Sequence, residues 1–394
     1  MSDKSGVGQV VGIDRRTVVR LLGAAAVGMN GLFSIAAPEV ATAAAPRPVG
    51  PDKSLPWPPA GAFGGKAIVG PHQPSAALML DTDELLGLPP QMSFIYGCLR
   101  DMDGNMSEWV RNFNLQPDAA RQGLFVQSNQ GKDELRVLPN IFMAAATEAV
   151  ASSEGGNGIW HSPDGAKGKP YKLEMSADGG TIHWSEDGAL DVTGTLMGPG
   201  LQWYIAEPSG SELYVSQIYE MKGVALGKPV RGVIAFDKAY LPKGIRMYGG
   251  KDPLFRPKAH HRTWYTWGTR YKDGSYDAGH FVLGTDRIGF ALLTNERGQL
   301  VLDTNVTGSV ELISTEPWPK RVSVRTSSGA EWEFIPDPKG RMPDMLGTGA
   351  TTAFTPQTEG RWRRPGDKRE PEVWFAWGEV AERGRTNQAW NYRF

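Results

Sequence analysis

The sequence predicts an all-β protein made of two tandem antiparallel β-barrels. Its 394 residues include 49 Gly, 29 Pro and 13 Trp, a composition typical of strands joined by many turns. Short alternating or aromatic runs are separated by Asp-Gly, Gly-Gly and Gly-Lys pairs, which favour tight turns. Hydrophobic residues make up 40% of the chain, enough for the cores of one large or two ordinary domains.

Charge and cysteine content exclude several classes of protein. The 42 basic and 43 acidic side chains leave a net charge of −1, so the chain lacks the excess of positive charge that favours binding of a nucleic acid. No segment has the roughly twenty unbroken apolar residues that a membrane-spanning helix needs, so we do not expect an integral membrane protein. The single cysteine, Cys98, can form neither an internal disulfide nor a four-thiolate metal site.

The first 43 residues resemble a twin-arginine export signal. Arg15 and Arg16 precede a weakly apolar run, Leu21–Ala37, and a small-x-small peptidase site ends at Ala43. We therefore expect the twin-arginine translocase and a signal peptidase as partners. The mature protein is then secreted or lies in the periplasm or cell envelope. The alternative for this segment is a short amphipathic helix.

The remaining chain divides into a lead-in and two domains. Residues 44–66 are rich in Pro, Gly and Ala and predict an extended lead-in. Several prolines and a Gly-Gly pair interrupt the strand pattern between about Pro242 and Lys258, so we expect domains at 67–245 and 246–394. Helices are expected only as short segments, at Pro117–Arg121, Asn140–Val150 and Pro343–Leu346.

The pair Asp273 and Gly274 predicts a β-hairpin. If these two residues form the whole turn, Trp267 lies opposite His280, and both share one face with Tyr265. That face combines apolar area with a few directed hydrogen bonds, which makes it a candidate for a ligand cavity. The alternative is a packed barrel core in which the polar groups of these side chains form hydrogen bonds within the protein. The candidate face carries Tyr265, Trp267, Thr269, Tyr271, Tyr276, Ala278 and His280.

A second hairpin brings two acidic residues together. With Gly227 and Lys228 as its turn, Glu220 and Asp237 become diagonal neighbours on one face with Tyr214. Two carboxylates so placed can share a proton, which raises one pKa enough for that group to act as an acid near neutral pH. The alternative is that this face points to solvent and carries ordinary surface charges.

Three segments share a pattern with one known family: Tyr219–Tyr240, Trp264–Trp267 with its following Asp-Gly turn, and Glu372–Val380. They resemble, in order, the strand pair that closes the first half of AttH/carotenoid-hydratase (CrtC-like) proteins, the aromatic hairpin that opens the second half, and the terminal aromatic strand. The resemblance implies two lipocalin-like (calycin) barrels in tandem. It also implies that some members act on long hydrophobic polyenes or terpenoids without a metal or organic cofactor.

The chain departs from the hydratase pattern at two places. The strand-closing motif of the hydratases continues from its Asp to a His and a Trp, and neither follows Asp237 here. The hydratases also place a Tyr-x-Asp in the second-half hairpin, where Tyr265 is followed two residues on by Trp267. The candidate catalytic groups that remain are Asp237 as proton donor, Tyr265, and His280 as a substitute proton carrier.

Other chemistries lack the residues they need. His260 and His261 are adjacent and point to opposite faces of a strand, so only one could join His280 around a metal, and no third ligand is clear. No Gly-x-Ser-x-Gly elbow and no Gly-x-Gly-x-x-Gly at a helix start are present, which disfavours α/β-hydrolase and dinucleotide folds. We therefore expect no metal and no cofactor. The basic run Arg361–Arg364 is either a solvated loop or a contact for an acidic ligand headgroup.

Two classes of function fit these observations. The first is an exported, cofactor-independent lyase or isomerase, hydratase- or cyclase-like, that acts on a hydrophobic small molecule such as a terpenoid or lipid. The second is a non-catalytic secreted binding protein for a lipophilic ligand. For the first class the candidate catalytic residues are Asp237, Tyr265 and His280, and the candidate ligand-binding residues are Trp267, Tyr271, Tyr276, Glu220 and Tyr214. A buried acid within reach of a ligand favours the enzyme, and a cavity lined only by satisfied polar groups favours the carrier.

Overall fold

The computed structural model describes eight stretches of the chain. These are residues 67–114, 123–205, 211–245, 261–284, 289–313, 318–345, 357–380 and 391–393. The predicted export signal, the lead-in, the helix expected at 117–121, the expected domain boundary and His260 lie outside the described residues. Within the described stretches, no helix has the length and apolar character needed to cross a bilayer.

The first sheet is antiparallel and contains thirteen strands among the described residues. Its main order is β5-β4-β3-β2-β13-β12-β10-β9-β8-β7-β6, with β11 also beside β12 and β1 beside β11. Its strands are β1 Ala67–His72, β2 Pro90–Asp101, β3 Met106–Asn114, β4 Gly123–Ser128, β5 Arg136–Val137, β6 Val150–Glu154, β7 Asn157–His161, β8 Tyr171–Met175, β9 Thr181–Glu186, β10 Leu190–Leu196, β11 Gly200–Ile205, β12 Glu212–Ala225 and β13 Lys228–Tyr240.

The second sheet is also antiparallel, with ten strands in the part of the chain that the structure describes. Its order is β17-β16-β15-β14-β22-β21-β20-β19-β18-β23. Its strands are β14 His261–Tyr271, β15 Tyr276–Gly284, β16 Gly289–Asn295, β17 Leu300–Asp303, β18 Thr307–Leu312, β19 Pro319–Arg325, β20 Glu331–Arg341, β21 Gln357–Arg363, β22 Pro371–Val380 and β23 Asn391–Arg393. Each sheet curls into a half-barrel, which confirms the predicted all-β class with two tandem antiparallel, lipocalin-like barrels.

Helices are few and short in the described stretches. Helix α1 spans Ala76–Leu80, and its N-cap residue Ser75 accepts a hydrogen bond from the Leu78 amide at 3.1 Å. Helix α2 spans Pro139–Ala144 and begins near the expected position. It ends earlier than predicted, because the backbone is extended at Ala145. A single 3₁₀ turn, Pro343–Met345, lies where the third helix was expected.

Three groups of buried apolar side chains stabilise this arrangement. One fills the curl of the first sheet, around Trp184 and Tyr219, and another fills the curl of the second, around Trp267. The third combines residues of both sheets, including Tyr96 from β2 and Phe375 from β22. The two sheets therefore share a core, and the side chains between them come from the outer faces of both half-barrels.

The hairpin at Asp273 and Gly274 differs from the prediction by one residue. Arg270 pairs with Tyr276 and Trp267 pairs with Gly279, so the loop contains three residues instead of two. Gly274 has φ +84°, and its amide bonds to the Tyr271 carbonyl at 3.0 Å, as in a type I turn followed by a left-handed residue. A one-residue shift moves every side chain of β15 to the other face. The prediction that Trp267 and His280 are cross-strand neighbours is therefore wrong.

The hairpin between β12 and β13 is shifted by two residues. Its turn is formed by Leu226 and Gly227, both at positive φ (53° and 76°), as a type I′ turn requires. Asp237 consequently lies opposite Ser216, and Glu220 lies four residues further along the strand pair. Because the shift is even, both acids keep the predicted face, but they are about 13 Å apart along the strands. The prediction that they are diagonal neighbours is wrong.

Candidate active site

The Asp237 carboxylate lies between the two sheets and is held by three hydroxyl groups. It belongs to β13, and the neighbouring strands β2 and β12 supply the groups that reach it. The hydroxyls of Tyr96 and Tyr214 donate to Oδ2 at 2.7 and 2.8 Å, and the Ser216 hydroxyl donates to Oδ1 at 2.5 Å. We call these four residues the hydroxyl cluster. All four are buried, and Asp237 is 0% exposed.

Burial gives Asp237 an unusual affinity for a proton. It raises the pKa of the Asp237 carboxyl from its usual 3.8 to about 7, against the opposing effect of the three hydrogen bonds. The adjacent Lys238 does not neutralise the carboxylate. Its ammonium points to the opposite face of β13 and donates to the carbonyls of Leu78 and Met79. A substantial fraction of Asp237 is therefore protonated at neutral pH.

A chain of hydrogen bonds continues from this cluster into the second sheet. The single proton of the Tyr96 hydroxyl is used in its bond to Asp237, so Thr266 Oγ1, 2.7 Å away, donates to the Tyr96 oxygen. Thr266 Oγ1 in turn lies 3.1 Å from His280 Nδ1, which then donates to it. Burial lowers the pKa of His280 to about 3, so its imidazole is neutral. Its other ring nitrogen, Nε2, is buried and has no hydrogen-bond partner among the described residues. Asp237 and His280 are thus connected across the two sheets.

Aromatic rings surround this polar chain. Trp203 stacks on Tyr214 with ring centres 4.5 Å apart, and it also lies 4.9 Å from the rings of Trp264 and His280. Further edge-to-face contacts join Tyr96 to Phe375 and Trp377, at 6.0 and 5.9 Å. These rings exclude water from the carboxylate, and their faces can stabilise a nearby cation.

The structure brings together only some of the residues predicted from the sequence. Asp237, Tyr214 and His280 belong to the connected chain. Tyr265 and Trp267 lie instead inside the curl of the second sheet, where Tyr265 packs on Phe334 and Trp362 at 4.7 and 5.0 Å, and Trp267 stacks on Phe281. The predicted common cavity of Trp267, Tyr265 and His280 is therefore wrong, because His280 lies on the other face of its sheet.

The other predicted ligand-binding residues lie outside the hydroxyl cluster. Glu220 forms ion pairs with Arg231 at 2.9 Å and Arg270 at 2.6 Å. The Tyr271 hydroxyl donates to Asp277 at 3.2 Å, and the guanidinium of Arg270 lies 5.0 Å from the Tyr276 ring centre. Glu220 therefore pairs with cations, and it does not share a proton with Asp237.

Sequence reasoning missed several members of the site. Thr266 would have been found with the correct hairpin register, since it lies directly opposite His280. Tyr96 could not be found in this way, because its partner Asp237 is 141 residues away along the chain. Trp264 belonged to the aromatic hairpin motif but not to the face chosen as the candidate site, and Trp203 carried no signal.

A second group of charged residues also lies between the sheets. Arg100 of β2 bonds to Asp337 of β20 at 2.7 Å and to Glu359 of β21 at 3.0 Å. Glu108 of β3 lies directly opposite Cys98, and both are fully buried. We call these five residues the ion cluster. Burial raises the pKa of Glu108 to about 7 and that of Glu359 well above its usual range, where the nearby Glu108 adds to the shift.

Three members of the ion cluster could hold a metal ion. Cys98, Glu108 and Glu359 each offer one ligand atom, and these atoms lie within 4.8 Å of one another. Metal binding requires a thiolate and carboxylates without protons. Burial instead raises the pKa of all three groups, which favours their protonated forms. Arg100 and protons on these groups can balance the charge of the cluster without a metal.

A pocket on the first sheet has a different character. It has a volume of about 770 Å³ and is lined by side chains that include Glu174, His183, Glu220 and Arg231. These charged groups already pair, for example His183 with Asp191 at 2.8 Å. An open groove with paired charges is a poor match for a hydrophobic ligand.

Comparison with solved structures finds proteins whose backbones follow a similar path. No family model and no curated protein matches the sequence. A solved structure of a candidate AttH from Nitrosomonas europaea aligns with a TM-score of 0.45 at 15% identity, covering 76% of this chain and 97% of that one. CghA bound to Sch210972 aligns with a TM-score of 0.43 at 10% identity, covering 82% and 96%. Kievitone hydratase from Nectria haematococca gives 0.37 at 10% identity, covering 81% and 97%.

The resemblance drawn from the sequence named AttH and hydratase proteins, and two of these three structures carry such names. At these identities and TM-scores the similarities carry no argument about what this chain does. The candidate activity therefore depends on the hydroxyl cluster itself.

Proposed function

We propose that this protein is a cofactor-independent lyase or isomerase, hydratase- or cyclase-like, which protonates a carbon–carbon double bond of a hydrophobic small molecule. The observation that carries the proposal is Asp237. It is a fully buried carboxyl group held only by hydroxyls, with a pKa of about 7. A carboxylic acid kept neutral by burial is a suitable donor to an alkene, which is too weak a base for ordinary side chains.

The reaction begins with transfer of the Asp237 proton to an alkene carbon. The π bond supplies the electron pair for the new C–H bond, and the neighbouring carbon becomes a carbocation. Tyr96, Tyr214 and Ser216 then stabilise the carboxylate that forms, since all three already donate to it. In a hydration, water adds to the cation and the resulting oxonium returns one proton to the Asp237 carboxylate. In an isomerisation, the carbon next to the cation loses a proton to that carboxylate. In a cyclisation, a second double bond attacks the cation to close the ring, and the new cation then loses a proton from its adjacent carbon to the same carboxylate.

The surroundings of Asp237 suit a cationic intermediate. The indole rings of Trp203 and Trp264 lie 4.9 Å apart beside the hydroxyl cluster, and their faces attract positive charge. Neutral His280, linked through Thr266 and Tyr96, can return a proton to the Asp237 carboxylate along the hydrogen-bond chain. Because Asp237 is 0% exposed, a substrate reaches it only when these aromatic side chains separate.

Proton transfer to carbon provides a direct test. The purified protein is incubated in deuterium oxide with a panel of terpenoid and polyene alkenes, and mass spectrometry measures deuterium on carbon in recovered substrate or product. We expect incorporation with the unchanged protein and none with Asp237→Asn. Saturable binding of a panel member by both proteins, without incorporation or turnover, would instead identify a non-catalytic carrier.

We also propose that the protein is exported through the twin-arginine route. Arg15 and Arg16 before a weakly apolar run, and the small-residue site ending at Ala43, support this. Replacing both arginines by lysine should leave uncleaved precursor in the cytoplasm. Unchanged export of the double variant would contradict the proposal.

A further inference from the structure

A second pocket lies at the end of the second half-barrel, on the far side of strand β14 from Asp237. Thr266 of this strand points to the hydroxyl cluster, whereas Thr269 lies on the opposite face with Tyr265 and Trp267. The pocket has a volume of about 330 Å³ and is lined by Thr269, Trp362 and the turn before β22. This volume lies near the lower end of the range for small-molecule sites.

The rim of this pocket is positively charged. Four of its lining residues are basic and two are acidic: Arg361, Arg363, Lys368 and Arg369 against Asp367 and Glu370. Arg363 pairs with Glu333 at 2.8 Å, and Arg369 pairs with Asp367 at 2.7 Å. In the part of the chain described, Arg361 and Lys368 have no ion-pair partner. Two positive charges are therefore available to a ligand.

Two buried hydrogen-bond donors line the same pocket. The Thr269 hydroxyl and the Trp362 indole N–H are both buried, and neither has a partner within the described stretches. Buried polar groups in native proteins are nearly always paired. An indole N–H can only donate, and a hydroxyl can donate, so a ligand that satisfies both must present acceptor atoms.

Buried aromatic rings lie beneath the walls of the pocket. The Tyr271 ring lies below the Arg369 guanidinium at 3.9 Å, and the Trp362 ring packs on Phe281 at 4.5 Å. We propose that this pocket binds a small organic anion, with its acidic group near Arg361 and Lys368. The basic run 361–364 of the sequence then supplies one side of a binding site.

Two fluorescent probes with the same aromatic body test this assignment. 8-Anilinonaphthalene-1-sulfonate carries a sulfonate, and N-phenyl-1-naphthylamine does not. We expect the unchanged protein to bind the sulfonate more tightly. The double variant Arg361→Glu, Lys368→Glu should weaken sulfonate binding by about tenfold or more and change binding of the neutral probe by less than about twofold. Neither side chain has an ion-pair partner in the described chain, so folding should be little affected.

A matched control separates the pocket from general charge effects. Arg297→Glu with Lys320→Glu makes the same change of net charge at two exposed positions of the second sheet outside this pocket. An equal loss of sulfonate binding in this control overturns the proposal, as does an absence of saturable sulfonate binding to the unchanged protein.

A second variant tests the buried donor without changing charge. Thr269→Val keeps the shape of the side chain and removes the unpaired hydroxyl. We expect the melting temperature to rise and sulfonate binding to weaken by about threefold, because the hydroxyl is satisfied only when a ligand is bound. Stronger or unchanged binding by this variant also contradicts the assignment. The outcome is independent of Asp237, which lies on the other side of the strand.

Discussion

The hydroxyl cluster and the ion cluster bury carboxyl groups between the same two sheets in different ways. Glu359 of the ion cluster has the Arg100 guanidinium at 3.0 Å and accepts the Ala376 amide at 3.1 Å. Asp237 of the hydroxyl cluster has only three hydroxyl partners, and no guanidinium or ammonium in the described stretches bonds to it. Both carboxyl groups are 0% exposed, so the difference lies in their partners.

This difference separates a structural role from a chemical one. Arg100 comes from the first sheet and bonds to two carboxylates of the second, so the ion cluster links the sheets. A proton held there is on a buried glutamate beside a second carboxyl group and a fixed cation. The proton on Asp237 is held by neutral groups beside aromatic rings, where its transfer leaves a carboxylate that three donors already solvate.

The largest expected effect comes from removing the cation of the ion cluster. Arg100→Met keeps an unbranched side chain and leaves Asp337 and Glu359 without their guanidinium. We expect the free energy of unfolding to fall by about 3–5 kcal/mol, the usual result of breaking a buried ion pair on one side. Urea denaturation measures this change. Arg231→Met is the control, because Arg231 is 43% exposed, and it should cost about 1 kcal/mol or less. Arg231 also joins the two sheets, through Glu372, so equal losses would mean that burial adds nothing to the ion pairs of Arg100.

The next effect concerns the donor of the hydroxyl cluster. Asp237→Asn keeps the size of the side chain and removes the transferable proton. We expect turnover of a substrate identified by the deuterium assay to fall about a hundredfold or more, with ligand affinity little changed. Glu220→Gln provides the control, because Glu220 lies on the same face of the sheet but pairs with arginines. Full activity of Asp237→Asn would remove the proposed role.

The pH dependence of stability gives a third comparison. The pKa of Asp237 is about 7 in the folded protein and near 3.8 in the unfolded chain, so between these values only the folded state holds the proton. The contribution of Asp237 to stability should therefore fall as pH rises from about 4 to about 7, by up to roughly 1.4 kcal/mol per pH unit. His280, with a folded pKa of about 3, contributes in the opposite direction below about pH 6.5, and both proteins share this contribution. In Asp237→Asn the slope of this fall should be smaller by the contribution of about one bound proton. Glu108, with a pKa of about 7, contributes in the same direction and should sustain the remaining slope. Identical slopes in both proteins would mean that the pKa of Asp237 is ordinary.

The fold and the site differed in how far the sequence could predict them. Alternation and turn dipeptides predicted the all-β class, and Asp237 was identified from a strand motif that the structure places at the centre of the first sheet. The faces around His280 were assigned wrongly because an Asp-Gly pair fits both a two-residue and a three-residue loop, and a one-residue shift inverts every face. The contact of Tyr96 with Asp237 depends on pairing of β2 with β13, which no local pattern encodes.

The smallest effect should come from interrupting the chain between the sheets. Thr266→Val removes the hydroxyl that joins Tyr96 to His280 and keeps the volume of the side chain. Asp237 retains its three donors, so the proton can still be transferred, but its return through His280 is lost. We expect turnover to fall by about tenfold, at the low end of the range for proton-transfer groups, with substrate affinity unchanged. Thr294→Val, at a buried threonine of β16 outside both clusters, should leave turnover unchanged. A loss as large as that of Asp237→Asn would contradict this assignment. It would mean that the proton comes from His280 through Thr266, and that Asp237 only relays it.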